Sequence, residues 1–78
     1  MEIPEQLKGP LRQQLDELNG IAAANWPDRT AEQSAMDTLQ YIIKCGQSYY
    51  GLPSGLVVRR DMGQYILVDW RSGDAVEI

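Results

Sequence analysis

Leu56-Val57-Val58-Arg59-Arg60, then Asp61-Met62-Gly63, then Gln64-Tyr65-Ile66-Leu67-Val68-Asp69-Trp70: the reading of this stretch decides the fold. Two runs rich in β-branched and aromatic residues flank a short segment containing glycine, the pattern of a β-hairpin. Asp61-Met62-Gly63 suits a three-residue loop with Gly63 in the left-handed conformation. Ser72-Gly73-Asp74 predicts a second turn, and Ala75-Val76-Glu77-Ile78 a short third strand. Alternation puts Ile66, Val68 and Trp70 on one sheet face and Tyr65, Leu67 and Asp69 on the other. The first set is expected to meet the rest of the chain. Tyr65, Leu67 and Val57 are then expected to lie exposed on the outer face, unless residues 1–9 fold over it.

Upstream of Gly51 the spacing changes from two-fold to helical. Leu7, Leu11, Leu15, Leu18 and Ala22 recur at three- and four-residue steps and predict one apolar stripe. Pro10 lacks an N–H and clashes with the preceding turn, so the first helix is expected to start there and run into the low twenties. Asn19-Gly20 is one candidate end; the alanine run to Asn25, stopped by Trp26-Pro27, is the other. Arg12 and Asp16 are spaced to pair on the wet side.

Thr30-Ala31-Glu32-Gln33 has the form of a capping box and predicts the start of a second helix. Ala35, Met36, Leu39, Ile42, Ile43 and Gly46 form its apolar stripe. Gly51-Leu52-Pro53 is a stop signature, which carries this helix to about Tyr50. Gly46 costs about 1 kcal/mol in a helix interior and is expected to permit a close approach of another element. The fold class is α+β in ααβββ order, with two N-terminal helices packed on one face of a small C-terminal three-stranded antiparallel sheet. One small domain is expected over residues 1–78: an N-terminal arm (1–9), a helical part (10–50) and a β-meander (56–78). With no Phe in the chain, Trp26, Trp70 and the four tyrosines are expected to supply the large-ring packing.

Composition excludes several kinds of chemistry. The absence of histidine removes imidazole bases and imidazole metal ligands. The single Cys45 leaves no internal disulfide or thiolate cluster, fits a reducing compartment, and reads as a small apolar filler. Ser34, Ser48, Ser54 and Ser72 lack a base at motif spacing, and no two carboxylates are marked as a pair. Gly51-Leu52-Pro53-Ser54-Gly55 lacks the Lys-Ser/Thr pair of a phosphate loop. No enzyme activity, cofactor or metal is therefore expected. No apolar run reaches the length of a membrane span, and Met-Glu-Ile-Pro-Glu is not a secretory signal, so a cytoplasmic location is expected.

The charge is uneven. The formal net charge is −4, and the isoelectric point is about 4.5. Residues 1–39 hold seven acids against Lys8, Arg12 and Arg29; residues 40–78 hold four acids against Lys44, Arg59, Arg60 and Arg71. The whole excess lies in residues 1–39, the helical half of the chain. An acidic helical surface meeting a basic protein surface is the expected partner mode, with Asp16, Glu17, Glu32 and Asp37 as its candidates. Tyr65 and Leu67 on the outer sheet face, with Arg59 on an acidic partner, are the other candidate contacts. Size, charge and missing chemistry together suggest a non-enzymatic protein-binding module. By analogy of class alone, it would be a small acidic inhibitor of a larger host complex, one that handles nucleic acid included. Phage and mobile-element antagonists of host defence, anti-CRISPR proteins among them, are of this kind. The alternatives are a small homodimeric structural or regulatory protein, paired through edges at Leu56–Arg60 or Ala75–Ile78, and a nucleic-acid-binding regulator, which the acidic charge disfavours.

Overall fold

The computed structural model describes residues 2–78. Two helices, α1 (Glu5–Ala22) and α2 (Arg29–Tyr49), precede three strands, β1 (Leu56–Asp61), β2 (Gln64–Asp69) and β3 (Asp74–Ala75). The strands form an antiparallel sheet in the order β1-β2-β3. This is the expected ααβββ arrangement.

The helix starts depart from expectation. α1 begins at Glu5 and carries Pro10 inside it, so residues 5–9 are helix, not an arm. Two features make this tolerable. Gly9 has no Cβ to clash with the proline ring, and Gln6, whose carbonyl loses its N–H partner, lies exposed to water. Burial supplies the drive: Ile3 and Leu7 are buried with Leu11 and Leu18 in the common core. Ile3 and Leu7 thus hold the N-terminal segment in that core. α2 is capped by Asp28, not Thr30. One oxygen of Asp28 accepts from the N–H groups of Thr30 (2.9 Å) and Ala31 (3.2 Å). Thr30 is already inside the first turn, and Gln33 donates to Asp37 (2.9 Å) rather than back to a cap. Arg12 does not pair with Asp16; it reaches the main-chain oxygen of Ile78 and ties α1 to the end of the sheet.

The apolar stripes hold as read. Leu7, Leu11 and Leu18 of α1 and Ala35, Leu39, Ile43 and Gly46 of α2 are buried. Gly46 is the close approach. A Cβ there would stand 2.7 Å from Leu7 Cδ1 and 3.2 Å from Leu52 Cδ2. Its carbonyl accepts from the N–H groups of Tyr50 and Leu52, both at 3.0 Å, as the chain leaves α2 through left-handed Gly51. The helix ends at Tyr49, one residue before the expected stop.

The hairpin loop is shorter than expected. Asp61 pairs with Gln64, leaving Met62 and Gly63 as a two-residue turn, both with positive φ. The sheet faces are also reversed. Leu67 is 2% exposed and lies in the core with Leu56, while Val58, Tyr65, Val76 and Ile78 pack against it. Ile66, Val68 and Trp70 therefore share the other face with Val57, Arg59 and Asp61, where Val68 is nonetheless buried, outside the main core cluster. Both faces of β2 are apolar, so alternation fixed the two sets but not which one met the helices. The aromatic residues do not fill the core. Trp26, Tyr41, Tyr49, Tyr50 and Trp70 are all exposed, and branched aliphatic side chains do the packing.

β3 pairs only through Asp74 and Ala75, so it is shorter than expected. The Val76 N–H still donates to the Leu67 carbonyl at 2.8 Å. Beyond that point Tyr65 faces α1 instead of a strand, and Asn19 completes the edge. The Asn19 amide nitrogen donates to the Tyr65 carbonyl (3.0 Å), and its oxygen accepts from the Tyr65 N–H (2.6 Å). One side chain thereby satisfies both main-chain groups that a longer β3 would have taken.

Candidate functional site

The register of β2 decides what Tyr65 can do. On the helix-facing side, its ring runs toward the first turns of α2, and its hydroxyl donates to Glu32 at 2.5 Å. Arg60, the cross-strand partner of Tyr65, stands 5.4 Å from the ring centre and 3.7 Å from the same carboxylate. The Glu32 side chain keeps only 18% of its surface exposed. The hydrogen bond to Glu32, helped by partial burial, holds the Tyr65 hydroxyl above the usual tyrosine range; Arg60 opposes this weakly. This cluster joins α2 to the hairpin. Tyr41 is likewise raised, chiefly by its hydrogen bond with Cys45 one turn along α2.

The expected contact residues separate into three places. Glu32 and Tyr65 are brought together, but into this internal link. Asp16, Glu17 and Asp37 are exposed on the helical layer. Glu17 lines a shallow interhelical groove with Gln14, Ile21, Ala31, Ser34 and Thr38, and Ser34 also lines an adjoining hollow that contains Asp37 and Arg29. Arg59 lies on the opposite side of the molecule, in an outer-face hollow with Asp61, Ile66, Val68 and Ala75. Leu67 is in the core and offers no surface. The Tyr65 and Leu67 contact expected on the outer face is thus not there; Val57 is exposed on that face as expected, with Ile66 and Trp70 as its companions.

Sequence reasoning missed Trp26. It stands on the connection between the helices with 94% of its surface exposed, at the same end of the layer as the Glu17 groove. The signal was present: a ring beside Pro27, between two amphipathic helices, sits on neither apolar stripe. Among the described residues, Asp16 and Glu17 have no ion pair, and Asp37 is engaged only by the neutral Gln33. The helical layer therefore presents carboxylates without an ion pair, and the connection between its helices presents an exposed indole. No helix of the described residues is long and apolar enough to cross a membrane. No group of three or more Cys, Asp or Glu side chains among them is placed to hold a metal ion.

No protein-family model, curated protein or solved structure matches the chain.

Proposed function

We propose that this protein is a non-enzymatic binding module that docks the acidic side of its helical layer on a basic surface of a larger protein, and acts as an inhibitor by occupying that surface. The supporting observations are Trp26, almost wholly exposed on the connection between the helices, and Glu17 and Asp37, which line adjoining hollows and have no ion pair among the described residues. Tryptophan is enriched among residues that dominate binding energy. Unpaired charge at the rim steers association with a complementary surface. The fold supports the same reading, because Trp26 lies outside the core cluster and does no packing there. The host machines that fit this chemistry are those whose own surfaces are basic because they handle nucleic acid. A phage or mobile-element antagonist of host defence is the class of protein that combines these properties.

Two substitutions test the reading without disturbing the core, Glu17→Lys and Asp37→Lys together. Glu32 is unsuitable, because it also holds Tyr65 and Arg60. Wild type is expected to retain a basic protein from a host lysate, with the double variant and Trp26→Ala retaining at least tenfold less at unchanged melting temperature. Equal retention by all three, or no retained protein, contradicts the proposal.

A further inference from the structure

A second hollow, of about 320 Å³, lies between the start of α2 and the hairpin and is lined by Arg29, Glu32, Gln33, Met36, Arg60 and Tyr65. Its charge is the reverse of its surroundings: two guanidinium groups against one carboxylate, within a helical half that is net negative. The carboxylate is already engaged. Glu32 accepts the Tyr65 hydroxyl at 2.5 Å and faces Arg60 at 3.7 Å, beyond hydrogen-bond distance. The Gln33 amide nitrogen is given to Asp37. Arg29 makes no hydrogen bond or ion pair among the described residues, and Arg60 is held by its ion pair with Glu32 and its position over the Tyr65 ring. A guanidinium carries five N–H donors in a planar fork suited to carboxylate or phosphate. Here two such forks border a mostly polar hollow whose apolar part is the Met36 side chain and the Tyr65 ring.

We infer that this hollow binds a small organic oxyanion, a carboxylate or a phosphate monoester. Arg29 and Arg60 hold the charged end, and Met36 and the Tyr65 ring take an apolar body about the size of one ring. The volume falls at the small end of the range for ligand sites, which sets that limit on the body. Glu32 is part of the site in two ways. It orients the Tyr65 ring through the hydroxyl, and its negative charge restricts the site to anions that approach from the guanidinium side. The hollow shares Arg29 and Gln33 with the adjoining one that contains Asp37, but its test reads small-anion binding by the chain alone, so failure of either proposal leaves the other standing.

The test is a two-dimensional amide NMR titration of the full chain at constant ionic strength, with benzoate, phenyl phosphate, inorganic phosphate and chloride as probes. Saturable shifts at Gln33, Met36, Arg60 and Tyr65 are expected with benzoate or phenyl phosphate. Whichever of the two binds more tightly identifies the oxyanion. Chloride is expected to give no saturable shift, and inorganic phosphate at least tenfold weaker binding than the ring-bearing probe. Arg29→Gln and Arg60→Gln each weaken binding at least tenfold while the rest of the spectrum stays in place. Absence of saturation with both ring-bearing probes, or an affinity unchanged from wild type in both variants, overturns the proposal. Inorganic phosphate binding as tightly as phenyl phosphate overturns the apolar half of it.

Discussion

Replacing Asn19 with Ala removes one side chain and orphans two main-chain groups. Its amide satisfies the Tyr65 carbonyl at 3.0 Å and the Tyr65 N–H at 2.6 Å, at a half-buried site where β3 does not reach. Each such hydrogen bond contributes about 0.5–1.5 kcal/mol net, and the loss is greater when the remaining group is shielded from water. Alanine recovers roughly 0.6 kcal/mol through its better helix propensity. The balance is a destabilisation of about 1–2 kcal/mol. For a domain of this size that lowers the melting temperature by roughly 5–15 °C. Gln13→Ala, on the exposed side of the same helix, is the control and is expected to stay within about 0.5 kcal/mol of wild type. Urea unfolding of the three proteins gives the comparison, and hydrogen exchange localises it. The Tyr65 amide is expected to be protected in wild type and to exchange faster in Asn19→Ala before any other strand amide does. Equal stability of Asn19→Ala and Gln13→Ala, with the Tyr65 amide unchanged, would refute the claim that Asn19 closes the sheet edge.

Two of the helical glycines make a sharp pair in thermal melts. Gly20 has open space where a Cβ would go, so Gly20→Ala is expected to stabilise by about 0.5–1 kcal/mol. At Gly46 the same gain meets Leu7 at 2.7 Å, and overpacking of about 1–3 kcal/mol makes Gly46→Ala destabilising, with Gly46→Val worse. The orientation of the sheet is tested by Leu67→Ala, which should cost about 2–5 kcal/mol in urea unfolding. Val57→Ala on the outer face, where Val57 is 37% exposed, should cost well under half as much. Tyr65 ionises late because its protonated hydroxyl is held by Glu32, so its folded-state pKa lies above its unfolded one. Its contribution to stability is fully present below the unfolded tyrosine pKa, near 10, and is lost as pH rises through the higher folded value. Tyr65→Phe should therefore flatten the alkaline limb of stability against pH and remove one late component from the ultraviolet tyrosine titration.

What the sequence revealed and what it concealed follow from the same physics. The leucine stripe of α1 and the stop at Gly51-Leu52-Pro53 were legible because local periodicity and turn chemistry carry them. The face of the sheet was not, because Ile66, Val68 and Trp70 are as apolar as Leu56, Val58 and Leu67. The choice between them was made by α1 and α2, through packing that no strand pattern encodes. Pro10 misled because its intrinsic penalty was weighed alone, whereas burial of Ile3 and Leu7 extends the helix past it. Asp28 was a better cap than Thr30 from its place beside Pro27, and the capping-box match at Thr30 obscured it. The link from Asn19 to Tyr65 spans most of the chain, and nothing near Asn19 marks it. For the candidate site, the location of negative charge was readable as a count. That Glu32 turns inward to Tyr65 and Arg60 while Glu17 and Asp37 stay on the surface depends on tertiary contacts alone.

The acidic helical surface is the central claim, and calorimetry on the retained partner tests it most directly. Wild type and Arg59→Glu, altered on the opposite side of the molecule, are expected to bind with the same affinity, weakening as salt rises. Glu17→Lys with Asp37→Lys is expected to bind at least tenfold more weakly at low salt. An affinity unchanged by the double substitution and lost with Arg59→Glu would contradict the account and place the contact on the outer sheet face.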